Sequence, residues 1–193
     1  MSKERVILGI DPGSNIMGFG IIKCNDRNLH LLQFGDIKFN AKDDHFVRMK
    51  QIFEHTSQII EKYLPDELAI EAPFYGKNIQ SMLKLGRAQG IAIAAALSHG
   101  IPIFEYSPKK IKQSITGSGS SSKEQVAGIL KQMFQIKELP KNLDATDGLA
   151  AAVCHYLQKQ HDTIENQSIK KTSVKKSKKD WNQFLKTNPD RLK

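Results

Sequence analysis

The sequence is poor in cysteine and has no long apolar run. Cys24 and Cys154 are the only cysteines in 193 residues, and each lies inside an apolar segment. This pattern excludes a disulfide framework or a cysteine-rich zinc site. No apolar signal segment is recognisable at the N terminus, and no run is long enough to span a bilayer. We therefore expect a cytoplasmic protein with reduced, buried thiols.

Acidic residues are outnumbered by basic ones. The chain has 20 Asp and Glu against 29 Lys and Arg, a formal net charge of +9. Residues 162–193 contain nine Lys or Arg and only four Asp or Glu. This distribution favours a polyanionic partner, nucleic acid before a membrane, although a basic surface can also serve solubility alone.

Apolar patterns predict one α/β domain over residues 1–160 and a basic tail over 161–193. Short apolar runs predict strands at 5–11, 17–24, 28–39, 67–71 and 101–106. Helical spacing predicts helices at 43–64, 78–99, 107–115, 123–135 and 143–160. Short turns join the first three strands into an antiparallel meander, and helices and strands then alternate. These features predict a mixed five-stranded sheet flanked by helices.

The tail has little apolar surface to bury, so we expect it to be disordered. Its last segment, WNQFLKTNPDRLK, regains Trp181 and other apolar residues. This segment could fold on a partner as a short docking element.

Four carboxylates lie where a buried element begins or ends. Asp11 ends the apolar run RVILGID before a Pro-Gly turn, and Glu71 ends the strand ELAIE. Asp144 and Asp147 open an apolar helix and share one of its faces. Four converging acids repel one another unless a cation neutralises them. Oxygen ligands without a His or Cys cluster favour magnesium or manganese over zinc.

Each acid also has an ordinary explanation when it is taken alone. Asp11 could be a turn former, and Glu71 could pair with Lys77. Asp144 and Asp147 could favour the positive N-terminal end of their helix. The combination of two strand-end acids with an acidic pair opening a late helix is instead typical of two-metal phosphoryl-transfer sites.

Five motifs follow one another along the chain: GIDPGS, AIE followed by Phe74 and GKN, SMLKLGRAQGIAIAAAL, IPIFEYSPKKIKQSITGSGSSSKEQV and LDATDGLAAAVCH. Together they resemble the RuvC-type Holliday junction resolvases of the ribonuclease H-like superfamily. The resemblance covers roughly residues 5–157. It implies a ribonuclease H-like fold and a homodimeric endonuclease of recombination and repair that cuts four-way DNA junctions by paired nicks. The implied products carry 5′-phosphate and 3′-hydroxyl ends, and the implied partners are the branch-migration proteins RuvA and RuvB.

The resemblance also implies roles for individual residues. Asp11, Glu71, Asp144 and Asp147 match the family's acidic positions, although relatives can carry His at the position of Asp147. They would hold two Mg²⁺ ions, which Mn²⁺ could replace, with Asp11 bridging both. Lys112 and Lys123 match basic positions near the scissile phosphate. The further DNA contacts would be Phe74, Tyr75, Lys77, Asn78, Lys84, Arg87, Lys109 and Lys110.

Among these contacts, Phe74 would stack on an unpaired base, a role that Tyr75 could share. Without the resemblance, Phe74 could simply cover the core, and any single lysine could be a solvated surface residue.

Small residues have two interpretations each. Gly13, Gly18 and Gly20 could allow a phosphate to approach, or they could serve turn and strand packing. GSGSSS (117–122) could be a flexible DNA-contacting loop that carries Lys123, or a linker, and it lacks the GKS or GKT ending of an ATP-binding loop.

The second predicted helix carries an alanine stripe, Ala88, Ala92, Ala95 and Ala96, with Leu83, Leu85, Ile91 and Leu97 nearby. This face could form part of a dimer interface or pack on the sheet.

Two other functions are open from the residues alone. GID-x-G turns also open the phosphate loops of actin-like ATPases, but those proteins need a second domain for which 193 residues leave no room. The other alternative function is that of a junction-binding protein without catalytic activity. The complete set of four acids disfavours it, because clustered charge is costly to retain.

Overall fold

The protein contains one five-stranded mixed sheet. The computed structural model describes residues 4–25, 28–73, 78–140 and 142–172, with side chains described as far as residue 160. The strands are β1 (Arg5–Asp11), β2 (Ile16–Cys24), β3 (Leu29–Lys38), β4 (Glu67–Glu71) and β5 (Ile103–Tyr106). The helices are α1 (His45–Tyr63), α2 (Ile79–Ser98), α3 (Pro108–Thr116), α4 (Lys123–Met133) and α5 (Asp144–Thr172). The predicted fold class is confirmed.

The strand order is β3-β2-β1-β4-β5. β1, β2 and β3 pair antiparallel as the predicted meander, while β4 pairs parallel to both β1 and β5. β1 therefore lies at the centre of the sheet, and both of its neighbours pair with it along most of its length. Among the residues that the structure describes, no helix has the length and hydropathy to cross a bilayer.

Helices cover both faces of the sheet, which explains why the central strands are apolar on both sides. Leu8 and Ile10 of β1 pack into one core with α1 and α2. Ile7 packs into a second core with α3, α4 and α5. Each core is buried at its centre, so the sheet is held from two sides.

α5 is longer than the predicted helix over 143–160. Its backbone continues to Thr172 because HDTIENQSIKKT contains neither Pro nor Gly to end it. Residues 161–172 thus continue a helix where disorder was expected. The chain divides into two units, Met1–Gln158 and Lys159–Lys193. The second is described only as the C-terminal part of α5, and the tail beyond it, with Trp181, lies outside the described residues.

α5 approaches the sheet at backbone distance. A Cβ on Gly18 would lie 1.9 Å from the Asp144 carbonyl oxygen, and one on Gly20 would lie 2.3 Å from Leu149 Cα. Gly18 and Gly20 are therefore packing glycines, and the expectation that they admit a phosphate is wrong because the helix fills that space. Gly13 belongs to the turn after β1, where a Cβ would lie 2.0 Å from the Ile16 carbonyl oxygen.

The alanine stripe of α2 does not form a free surface. All four alanines are fully buried, and Ala88, Ala92 and Ala96 belong to the core between α2 and the sheet. Ile91 packs on the same core. The interpretation of this stripe as a dimer interface is therefore wrong, and the alternative of packing on the sheet is confirmed.

The segment GSGSSS is an ordered connection between α3 and α4. Gly117 ends α3 with φ +80°, and the Ser122 hydroxyl caps α4 in a reciprocal box with Gln125. Between them, the Thr116 hydroxyl lies 2.8 Å from the Ser121 hydroxyl and donates to the Ser118 carbonyl oxygen. These hydrogen bonds argue against the flexible loop predicted from composition, because hydroxyl side chains satisfy the backbone locally.

Candidate active site

Asp11 and Glu71 emerge side by side at one edge of the sheet. Each is the last residue of its strand, and the preceding residues, Ile10 and Ile70, pair directly between the parallel strands β1 and β4. Parallel neighbours end at the same edge, so the predicted convergence of these two acids is observed. Both side chains are partly buried.

Asp144 and Asp147 bring α5 to the same edge. Carboxylate oxygens of Asp11, Asp144 and Asp147 all lie within 4.8 Å of one another. Glu71 lines the same cavity but falls outside this compact triad. We call Asp11, Glu71, Asp144 and Asp147 the acidic cluster.

The acidic cluster lines a cavity of about 490 Å³. Lys112 of α3 and Lys123 of α4 also line the cavity, and Pro12 and Gly13 contribute part of its wall. Leu85 of α2 also lines it. All six predicted catalytic residues therefore meet in one place.

Lys123 neutralises part of the negative charge. Its ammonium group donates to the carboxylate of Asp147 and lies 3.5 Å from Asp144 Oδ1. Lys123 therefore pairs with both acids of α5. The ammonium carries one charge, so it leaves the acidic cluster with a net negative charge.

Burial and mutual repulsion hold protons on the innermost acids. Burial, then the charges of Asp147 and Asp144, raise the pKa of Asp11 to about 7, although Lys123 opposes the shift. Burial, then Asp11 and Asp147, raise the pKa of Glu71 to about 8, against Lys123 and Lys112. Carboxyl groups with such values keep much of their protonation near neutral pH, and a bound cation would favour their complete deprotonation.

Asp147 and Lys123 shift the pKa of each other. Burial raises the pKa of Asp147, and the hydrogen bond from Lys123 partly reverses this. Burial alone would lower the pKa of Lys123, but the hydrogen bond to Asp147 and the surrounding carboxylates raise it overall. Lys123 is therefore a permanent cation in this cavity.

Two supporting residues were not predicted from the sequence. Gln89 of α2 is buried and donates from Nε2 to the Glu71 carbonyl oxygen (3.3 Å) and to Glu105 Oε1 (2.5 Å). Arg48 of α1 donates to the Ser14 carbonyl oxygen and to Asn15 Oδ1, which holds the turn after Asp11. The only signal for Gln89 is a single amide among the alanines of α2.

The structure describes some of the predicted DNA contacts and not others. Phe74, Tyr75 and Lys77 lie outside the described residues, and so does the pairing of Glu71 with Lys77. The basic side chains among the described contacts of α2 and α3 are exposed, namely Lys84, Arg87, Lys109 and Lys110. Asn78 is exposed and caps α2 by accepting from the Ser81 amide. Its observed contact is therefore with its own helix.

The donor set of the acidic cluster fits a hard divalent cation. Carboxylate oxygens are the ligands that Mg²⁺ and Mn²⁺ prefer, and the compact triad places three of them around one point. Glu71 offers a further carboxyl group on the cavity wall, and the two strand-end acids, whose pKa values are raised, would exchange their protons for a bound cation. The acidic cluster could thus bind metal.

Comparison with known proteins agrees with this geometry. The family model for crossover junction endodeoxyribonuclease RuvC matches residues 7–155. A crossover junction endodeoxyribonuclease RuvC from Cytophaga hutchinsonii is 56% identical over 190 residues, which cover 98% of this chain and 89% of the relative. Its counterpart from Christiangramia forsetii is 53% identical over 193 residues, covering 100% of this chain and 95% of the relative.

A solved structure resembles the whole domain. The T. thermophilus RuvC in complex with Holliday junction substrate superposes with a TM-score of 0.77 at 28% sequence identity. The match covers 82% of this chain and 97% of that one. An actin-like ATPase is therefore excluded as the family, and the resemblance predicted from the motifs is confirmed. The chain belongs to the RuvC family of crossover junction endodeoxyribonucleases.

Proposed function

We propose that this protein is a Holliday junction resolvase that hydrolyses phosphodiester bonds in two opposing DNA strands. The observation that carries the proposal is the meeting of four carboxylates and two lysines in one cavity of a chain that belongs to the RuvC family. The biological setting would be homologous recombination and DNA repair in the bacterial cytoplasm.

Asp11, Glu71, Asp144 and Asp147 would hold two Mg²⁺ ions. Bound divalent ions supply an acidified water for attack and stabilise the charge on the leaving 3′ oxygen, giving 5′-phosphate and 3′-hydroxyl ends. Asp11 suits a central ligand because its strand is paired on both sides and Arg48 holds the turn that follows. The raised pKa values of Asp11 and Glu71 mean that these groups give up protons as they take up the ions.

Lys123 and Lys112 would act on the phosphate. Lys123 pairs with Asp147 and Asp144, and a cation bound between those acids would compete with its ammonium group. A displaced Lys123 remains in the cavity and can approach a phosphate oxygen. Lys112 lines the same cavity and would add a second positive charge beside the scissile group.

Exposed basic residues would carry the sequence-independent part of DNA binding. Lys84 and Arg87 lie on α2, and Lys109 and Lys110 lie on α3, the helix that also supplies Lys112. Contacts of this kind weaken with salt because they release counterions. Phe74, or Tyr75, would stack on an unpaired base at the junction centre.

A homodimer would bring two such sites to one junction, since a four-way junction has two equivalent strands to cut. The exposed face of α2 is the surface that we assign to this interface. Ile79, Leu83 and Leu97 are 70%, 52% and 62% exposed on this face. Between them, Gly86 and Gly90 have open space beside their Cα atoms, which allows a second helix to approach closely. RuvA and RuvB would be partners of the dimer on the same junction.

A nicking assay tests the proposal. A four-way junction labelled on each strand in turn is incubated with the protein in Mg²⁺ and in EDTA. We expect paired nicks in opposing strands in Mg²⁺ only, and ends that a DNA ligase can reseal. Binding of the junction without nicking in any divalent ion would instead favour the non-catalytic alternative.

A matched variant controls for loss of surface charge. Glu54 is an exposed acid that pairs with Lys50 on the surface of α1. Glu54→Gln removes one carboxylate, as Glu71→Gln does, but leaves the cavity intact. We expect Glu71→Gln to stop nicking and Glu54→Gln to leave it unchanged.

A further inference from the structure

A buried polar cluster lies on α5 away from the cavity. His155 is fully buried, and its Nε2 lies 2.9 Å from Glu67 Oε2 while its Nδ1 lies 2.6 Å from the Tyr106 hydroxyl. The carboxylate of Glu67 accepts from His155 Nε2–H, and His155 Nδ1 shares a second hydrogen bond with the Tyr106 hydroxyl, so both ring nitrogens have a partner. We call Glu67, Tyr106 and His155 the histidine cluster.

The histidine cluster joins three elements. Glu67 is the first residue of β4, Tyr106 is the last residue of β5, and His155 lies on α5. The ring of Phe104 packs against the imidazole with centroids 4.3 Å apart, and Arg5 of β1 lies 3.6 Å from Glu67 Oε2. Such a buried polar network holds one arrangement of its elements because any shift leaves polar groups unsatisfied.

The spacing along β4 matches the spacing along α5. Glu67 and Glu71 stand at opposite ends of β4, four residues or ~13 Å apart. His155 and Asp147 stand eight residues apart on α5, which is ~12 Å along the helix axis. Glu67 is bonded to His155 at one end of β4, while Glu71 at the other end lines the cavity together with Asp147.

The contact surface between these two ends is made of small residues. Gly9 and Gly20 of the sheet face Gly148, Leu149 and Ala152 of α5 at backbone distance. Close backbone packing sets how near the helix lies to the sheet. Hydrogen bonds are directional, so those of His155 would also fix the position of α5 along its own axis.

We propose that His155 is a positioning residue for the acidic cluster: held between Glu67 and Tyr106, it sets the axial position of α5 and so the distance of Asp147 from Glu71. This inference rests on the proposed metal site. His155 touches neither the cavity nor the reacting atoms, so its effect reaches the site only through the helix.

The experiment measures Mn²⁺ binding to the DNA-free protein by electron paramagnetic resonance, together with thermal unfolding and junction binding in EDTA. Residues that orient metal ligands typically contribute about 10–100-fold to metal affinity, so we expect His155→Leu to weaken Mn²⁺ binding about tenfold. Junction binding should stay unchanged. His155→Gln, which keeps a donor towards Glu67, should recover most of the loss.

A core variant in the other layer separates positioning from general destabilisation. Ile52 of α1 is fully buried in the core away from α5. Its Val or Ala variant, whichever matches the melting temperature of His155→Leu, should bind Mn²⁺ as the wild type does. Equal Mn²⁺ affinity in His155→Leu and in this control would overturn the inference.

Two further results keep the test decisive. If His155→Leu does not fold, Tyr106→Phe removes one hydrogen bond with little change of volume and should still weaken Mn²⁺ binding measurably. Wild-type affinity in Tyr106→Phe would then overturn the inference. If the wild type itself binds no Mn²⁺, the proposal of a metal site is refuted. If wild type and variants bind Mn²⁺ equally, the metal site stands and only the positioning role of His155 is refuted.

Discussion

At the scale of single residues, the properties of the cavity depend on how its buried negative charge is compensated. Four carboxylates share a small volume with two lysines, and the innermost acids, Asp11 and Glu71, have raised pKa values. Protons, the ammonium group of Lys123 and divalent ions can each offset the same negative charge. The competition among these three cations leads to two predictions.

The first residue-scale prediction concerns pH. The pKa values of Asp11 and Glu71 rise on folding from 3.8 and 4.5 to about 7 and about 8. The folded, metal-free protein therefore binds more protons than the unfolded chain across this window. These two groups contribute stability that is fully present below their unfolded pKa values and is lost as the pH rises through their folded ones.

Without metal, we therefore expect the free energy of unfolding to fall as the pH rises from about 4 to about 8, and the gain on adding Mg²⁺ to grow over the same range. Calorimetric melting in EDTA and in Mg²⁺ at several pH values measures both. Asp11→Asn should flatten the dependence. A metal-free stability that rises steadily through pH 7 would contradict the assigned protonation.

The second residue-scale prediction concerns Lys123. Replacing it with Met removes the cation that pairs with Asp144 and Asp147. The carboxylates of the acidic cluster then repel one another more strongly in the absence of metal. We expect a lower melting temperature in EDTA and a smaller difference from wild type in Mg²⁺. Lys131→Met, a change in the last turn of the same helix, is the matched control. Equal melting of both variants in EDTA would refute the role.

At the scale of elements, the separation between α5 and the sheet decides whether the acids meet. β1 and β4 carry two acids at their ends, and α5 must approach at backbone distance for Asp144 and Asp147 to reach them. Gly9, Gly18 and Gly20 provide that approach because a side chain at any of them would clash with the helix.

Gly20→Ala tests this packing. The added Cβ would lie 2.3 Å from Leu149 Cα, so the helix must move or the backbone must strain. Overpacking of this kind costs roughly 1–3 kcal/mol or more. We expect that loss in chemical denaturation and a strong decrease in nicking, since two of the four acids move with α5.

Gly128→Ala is the control for this substitution. Gly128 lies in α4 with open space beside it, and Ala is the better helix former by about 0.5–1 kcal/mol. We expect this variant to be slightly more stable than wild type and fully active. A Gly20→Ala protein that melts and nicks as Gly128→Ala does would show that close packing of α5 is unnecessary.

Elements were more predictable than the contacts between them. Strand periodicity placed β1 and β4 at their observed bounds, but the parallel pairing that unites Asp11 with Glu71 is seen only in the structure. Periodicity identifies a buried face but not what covers it, so the alanines of α2 could be read as an interface. The contacts of Gln89, Arg48 and His155 join residues far apart in sequence, and the lone amide among the alanines of α2 is the one local feature that points to any of them.

At the scale of the whole molecule, the proposed substrate calls for two sites. The exposed face of α2 around Leu83 is apolar and has small residues where a second helix can approach, whereas the alanine stripe is already buried. A dimer built on this face would also double the basic surface offered to DNA.

Leu83→Glu tests the assembly. A charge at the centre of an apolar interface is costly to bury, so we expect the variant to be a monomer by light scattering. It should keep its Mn²⁺ affinity but lose paired nicking. Val47→Glu changes an exposed apolar residue of similar exposure on α1 and should remain a dimer. A wild-type protein that is monomeric at every concentration would refute the interface.

The central claim is that the acidic cluster binds the divalent ions that cleave the junction. Its most direct test is nicking of a four-way junction by Asp11→Asn in Mg²⁺, with junction binding measured on the same preparation. Since residues that only orient ligands already contribute about 10–100-fold, we expect a loss of more than about a hundredfold in nicking, with unchanged binding. An Asp11→Asn protein that nicks the junction at the wild-type rate would contradict the account.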